Sequence, residues 1–147
     1  MNAAAFIAGE TLRAPACRKA AGLRGARSPA PPRTALVVED DDLVREVVTA
    51  MLEQDGFRVV AVANGEAAVA RLLIDPAFDA LVTDMQMPGT VGGLGVAQAY
   101  RALCPAGRVV YTSGSPGGVA PRVGNSAFMA KPFRAADLIA AVTAPAA

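Results

Sequence analysis

The chain has 147 residues, room for one domain of common size and little more. Its 53% hydrophobic content supports a packed core, yet no run approaches the ~18 apolar residues of a membrane span, and residues 1–30 lack the compact apolar block of a secretory signal. A cytoplasmic protein is expected. The formal charge of +1 hides a split: residues 1–33 carry six cations against Glu10 alone, net +5, while residues 34–147 hold the other 8 cations and 12 acids, net −4. An acidic body argues against a nucleic-acid module, because such modules gain affinity by neutralising phosphates. The basic head is rich in Ala, Arg and Pro and ends in Pro29-Ala30-Pro31-Pro32. It reads as a flexible tail, with contact to a membrane surface or polyanion as the alternative. Cys17 and Cys104 match no metal or disulfide spacing pattern and are assigned no function.

After the proline break, a short apolar run, Ala35-Leu36-Val37-Val38, predicts a strand buried on both faces. Asp41 and Asp42 are N-cap candidates for a helix whose Leu43, Val44, Val47, Val48, Met51 and Leu52 form one apolar face, with Gly56 placed to stop it. Residues 57–62 predict a second strand. Asn64 can cap a helix running through Ala68, Val69, Leu72 and Leu73 to Asp75, with Pro76 just beyond. A third strand is expected at 78–83, a third helix at 94–103, a fourth strand at 109–112, a fifth at 127–130 and a closing helix at 135–143. Strand–helix alternation implies a parallel sheet covered on both faces. Between Gly114 and Ser126, five Gly and Pro residues (Pro116, Gly117, Gly118, Pro121 and Gly124) leave room for a turn or two of helix at most.

The chemistry sits at the ends of the apolar runs. Glu39 and Asp40 follow the first, Asp84 follows Ala80-Leu81-Val82-Thr83, Ser113 follows the fourth and Lys131 follows Ala127-Phe128-Met129-Ala130. In an open parallel sheet ligands bind outside the carboxyl ends of the strands, so these groups are expected to meet on one edge. Converging carboxylates repel at neutral pH unless a cation lies between them, and Mg²⁺ suits oxygen donors that leave room for water. Carboxylates, metal, ammonium and hydroxyl together suit a phosphoryl group, with a carboxylate oxygen as nucleophile.

Val38-Glu39-Asp40-Asp41, Val82-Thr83-Asp84-Met85-Gln86-Met87-Pro88-Gly89, Tyr111-Thr112-Ser113-Gly114 and Met129-Ala130-Lys131-Pro132-Phe133 resemble, in order and spacing, the receiver domain of two-component response regulators. The resemblance covers about residues 34–144. It implies a flavodoxin-like, doubly wound, five-stranded parallel sheet in order 2-1-3-4-5, here with the family's fourth helix shortened or irregular, and a division into a tail, 1–33, and a receiver domain, 34–147. It implies Asp84 as phosphoacceptor, Asp40 as a direct Mg²⁺ ligand, the Gln86 backbone carbonyl as a further ligand, and Glu39 acting on the metal through water. Lys131 would bind the phosphoryl group and Ser113, or Thr112, would supply the switching hydroxyl. Phe128 stands at the aromatic switch position, with plain core as the other reading, and Lys131-Pro132 matches a bond usually cis.

The implied function is a stand-alone receiver that takes a phosphoryl group from a sensor histidine kinase or histidine phosphotransfer protein and is not otherwise an enzyme. With no histidine in the sequence the donor lies elsewhere, and with nothing after Ala147 the output is expected to be contact with an unknown protein, or a phosphate sink, without direct DNA binding. Two alternatives stand beside it: a Mg²⁺-dependent phosphohydrolase with an aspartyl nucleophile, and a pseudo-receiver that works without phosphorylation. The sequence departs from the family in Gly92-Gly93, where an Asp-Gly pair is common, and in the breaker-rich segment 114–126, where an ordering switch on phosphorylation is expected in place of a helix shift.

Overall fold

The alternating apolar runs fold into five strands and four helices, here in a computed structural model that describes residues 31–115 and 122–144. The strands are β1 Thr34–Val38, β2 Arg58–Val62, β3 Ala80–Asp84, β4 Arg108–Ser113 and β5 Ser126–Ala130; the helices are α1 Asp42–Gln54, α2 Gly65–Ile74, α3 Gly93–Leu103 and α4 Ala135–Thr143. All strand pairs are parallel, in the order β2-β1-β3-β4-β5.

The central strands β1, β3 and β4 are buried almost throughout, which is why they read as unbroken apolar runs, while the edge strands β2 and β5 are half-buried. Alternate residues feed two cores. Leu36, Val38, Leu81, Val109 and Tyr111 pack with Ala68, Leu72, Val96, Ala97 and Tyr100 from α2 and α3. Ala35, Val37, Ala80, Val82 and Val110 pack with Val48, Leu52, Leu138 and Val142 from α1 and α4. The buried Tyr100 hydroxyl donates to the Phe78 carbonyl at 2.6 Å, and burial beside Asp79 pushes its pKa upward.

Several boundaries move by a residue or two for local reasons. Asp41, not Asp42, is the N-cap of α1, its carboxylate accepting from Val44 N at 3.0 Å. Asn64 caps α2 through Ala67 N at 2.7 Å, as its position predicts. Phe57 lies outside β2 because its amide closes the end of α1 on the Leu52 carbonyl, next to Gly56 at φ +91°. Phe78 lies outside β3, in a tight turn on Pro76. The apolar stripe of α1 is wider than its buried face: Val48 and Leu52 are buried, but Leu43 and Val47 are exposed, as is Leu73 of α2.

Arg33, assigned from the sequence to the tail, is docked on the body. Its carbonyl accepts from Arg58 N, and its guanidinium pairs with Asp55 at 3.2 Å and stacks over Phe57 at 4.3 Å. Cys104 is buried against the α2–α3 core, its Sγ 3.5 Å from the Phe78 carbonyl. Residues 1–30 of the expected tail, Cys17 among them, and residues 116–121 of the irregular segment lie outside the described residues. The described ends of that segment, 114–115 and 122–125, are not helical.

Candidate functional site

The direction in which the chain winds reverses between β1 and β3, and the crevice at their carboxyl ends is where such a sheet binds its ligands. Glu39 and Asp40 leave β1 there and Asp84 ends β3, and carboxylate oxygens of all three lie within 4.8 Å of one another. Glu39 and Asp84 are buried; Asp40 stands exposed at the mouth. From the end of β5, Lys131 Nζ donates to Glu39 Oε1 at 2.7 Å and to Asp84 Oδ2 at 3.1 Å. Its backbone amide is fixed on the Ser113 carbonyl at 2.8 Å, and the Lys131–Pro132 bond is cis. Four groups from three distant stretches of the sequence thus meet at one edge.

The balance of charge is unfavourable as it stands. Three carboxylates and one ammonium leave two negative charges, and carboxylates no more than 4.8 Å apart repel by roughly 3.5 kcal/mol or more per pair for an effective dielectric constant near 20. The strain shows in the titration of Glu39, whose pKa is raised chiefly by burial and further by the Asp84 charge, against the lowering effect of Lys131 and the Asp41 amide. Burial by itself would lower the Lys131 ammonium, but its bonds to Glu39 and Asp84 outweigh that and raise it. A divalent cation would cancel the excess. The donors are all hard oxygens and the exposed Asp40 leaves the mouth open to water, which fits Mg²⁺ and does not fit a thiolate- or imidazole-loving metal.

The remaining positions named from the sequence lie around this cluster. Gln86, in the turn after β3, donates its amide to Asp84 Oδ1 at 3.1 Å. Ser113 ends β4, buried, and its Oγ accepts from Ser115 N at 3.1 Å; Thr112, one residue deeper, is buried too, and its carbonyl accepts from Met85 N. Phe128 lies opposite Tyr111 in the sheet, half-buried against the α2–α3 core, on the layer away from Lys131.

Three residues escaped the sequence reading. Ser115 links two loops, its amide on Ser113 and its hydroxyl on Gln86 Oε1 at 3.3 Å. Arg45 reaches back from α1 to the Glu39 carbonyl at 2.9 Å. Glu66 of α2 accepts from both the amide and the hydroxyl of Thr90, at 2.9 and 2.8 Å, pinning the β3–α3 loop. Only Arg45 left a signal, a cation one turn into the helix that follows the acids.

Fold and crevice together define a doubly wound α/β domain with an acidic cluster that could hold a cation at the carboxyl ends of β1 and β3. The model of the response regulator receiver domain matches residues 35–143, and the chain belongs to that family. It is 31% identical over 110 residues to the response regulator receiver protein CpdR of Brucella abortus, covering 71% of this chain and 88% of CpdR. It spans only 18% and 15% of two longer relatives that carry a similar segment. Among solved structures, a response regulator receiver protein from Sinorhizobium medicae superposes with a TM-score of 0.70 at 32% identity, covering 76% of this chain and 92% of that one. The receiver domain of the sensor histidine kinase PA1611 from Pseudomonas aeruginosa, which has a magnesium ion in its active-site cleft, superposes at 0.64 with 25% identity, covering 74% and 93%. Among the described residues no helix is long and apolar enough to cross a membrane.

Proposed function

We propose that this chain is a single-domain response regulator of the cytoplasm, whose receiver domain, 34–147, takes a phosphoryl group onto Asp84 from a histidine kinase or histidine phosphotransfer protein. The observation that carries the reading is the Lys131 ammonium, bonded to Asp84 within the Glu39–Asp40–Asp84 cluster. Asp40, Asp84 and the Gln86 carbonyl would hold Mg²⁺, with Glu39 acting through water; when bound, the ion supplies positive charge for the phosphoryl oxygens. An Asp84 carboxylate oxygen attacks phosphorus, the new O–P bond forms as the N–P bond of the phosphohistidine breaks, and the imidazole nitrogen leaves with the electron pair. Lys131, drawn off Asp84, pairs with the charge on the transferred group. The acyl phosphate is later lost by water attack on phosphorus, which returns the carboxylate.

The sequence contains no histidine, so the donor imidazole comes from another protein. The donor crosses the open edge of the sheet, where an apolar groove lined by Leu43, Val47, Met51, Pro132 and Phe133 runs up to Lys131. Ser113 is favoured over Thr112 as the responding hydroxyl because it stands at the very end of β4, joined through Ser115 to Gln86. Phe128 would repack as Ser113 moves, and output is contact with a downstream protein or a phosphate sink. The phosphohydrolase alternative is disfavoured by Gln86, which stands where an acid/base carboxylate is wanted and cannot exchange a proton. A pseudo-receiver is disfavoured by the complete set of Asp40, Asp84, Ser113 and Lys131. Incubation with a radiolabelled phosphohistidine protein tests the reading: label is expected on this chain in a form that alkali or hydroxylamine removes, and retention of all label on the donor would reject it.

A further inference from the structure

We propose that Arg45 is a positioning residue for the carboxylate cluster, setting the peptide that joins Glu39 to Asp40 and so the stance of two of its three acids. Arg45 lies one turn into α1. Its Nη1 donates to the Glu39 carbonyl at 2.9 Å and its Nη2 to Asp42 Oδ1 at 2.5 Å, so the planar guanidinium spans the β1–α1 loop from the last residue of the strand side to the first of the helix. The Glu39 carbonyl belongs to the same peptide plane as the Asp40 amide, and among the described residues Arg45 is the donor it has. A main-chain carbonyl at a half-buried site needs such a partner, and fixing it fixes the rotation of the plane. The rest of the loop is tied around it: Glu39 N donates to the Val62 carbonyl at 3.1 Å, Asp41 N to Glu39 Oε2 at 3.2 Å, and Arg45 N to the Asp41 carbonyl at 2.9 Å. Arg45 itself is mostly buried, its side chain 22% exposed against 87% for Asp42, so the fork is held by packing more than by the surface ion pair.

Charge and position pull in opposite directions here. A cation beside an acidic metal site repels the metal, so if Arg45 acted by charge alone, its removal would tighten Mg²⁺ binding. If it acts by holding the loop, removal loosens it, as loss of outer partners of metal ligands commonly does. The inference rests on the reading of the cluster as a Mg²⁺ site. Titration calorimetry with MgCl₂ on the full chain, comparing wild type, Arg45→Met and Arg45→Lys, separates the possibilities, with urea unfolding of each metal-free protein to establish that it is folded. Arg45→Met is expected to weaken Mg²⁺ about tenfold. Arg45→Lys, which keeps the charge and one donor, is expected to fall between Met and wild type, and it alone decides the matter if the Met variant does not fold. Equal or tighter binding in the folded variants would overturn the positioning role, whereas absence of Mg²⁺ binding in wild type would instead reject the metal site itself.

Discussion

Asp40 and Asp41 are adjacent acids with different duties, and the structure separates them. Asp40 points its carboxylate into the cluster with Glu39 and Asp84, whereas Asp41 uses its own to close the first turn of α1 on Val44 N. Asp40→Ala is therefore expected to abolish most Mg²⁺ affinity while leaving the fold intact, since an exposed acid that suffers repulsion contributes little to stability. Asp41→Ala should cost about 1 kcal/mol of stability, the usual loss of an N-cap, and leave metal affinity close to wild type. Calorimetric titration and urea unfolding of the two variants check this; a metal defect larger in Asp41→Ala than in Asp40→Ala would contradict the division. The sequence already separated Asp40, the expected metal ligand, from Asp41 and Asp42, the expected caps, but it could not choose between the last two, because both are acceptable caps and only the path of the loop decides.

The loop from β3 to α3, which follows the proposed acceptor Asp84, is held from two sides. Gly93 starts α3 against the end of β3: a Cβ there would lie 2.3 Å from the Asp84 carbonyl, so only glycine admits the approach. Gly93→Ala should displace the backbone that presents Asp84, costing about 1–3 kcal/mol and slowing phosphorylation, both readable by urea unfolding and by the rate of acyl-phosphate formation. On the far side Glu66 accepts from Thr90, and those two bonds hold its pKa below the ordinary 4.5. A lowered carboxylate contributes stability that is present above its ordinary pKa and is lost as pH falls through the folded-state value. The stability gap between wild type and Glu66→Gln should accordingly be present at neutral pH and close as the pH drops below 4.5; a gap that stays constant would show that the charge of Glu66 does not matter. This clasp was invisible in the sequence because Glu66 and Thr90 are 24 residues apart and neither stands in a motif. The strands and helices were legible for the opposite reason, since burial of β1, β3 and β4 on both faces leaves unbroken apolar runs and Asn64 and Gly56 mark helix ends chemically.

At the scale of the molecule, one topological fact gathers the chemistry. The order β2-β1-β3-β4-β5 puts β1 and β3 side by side, so residues 39–40 and 84 become neighbours, and β5 delivers Lys131 from the other flank. Position directly after an apolar run is therefore enough to bring Glu39, Asp40, Asp84 and Lys131 to one edge, as the sequence pattern predicts. What stayed hidden is most of the support: Ser115 between two loops and Arg33 folded back on Phe57 left no pattern, and Arg45, though a cation one turn into the helix after the acids, acts through a backbone carbonyl that no motif records. The proposed phosphoryl transfer requires an Asp84 carboxylate oxygen in the new O–P bond, and the direct measurement is the intact mass of wild type and Asp84→Asn after incubation with acetyl phosphate and Mg²⁺. Wild type is expected to gain the mass of one phosphoryl group and Asp84→Asn none; equal labelling of the two proteins would contradict the assignment.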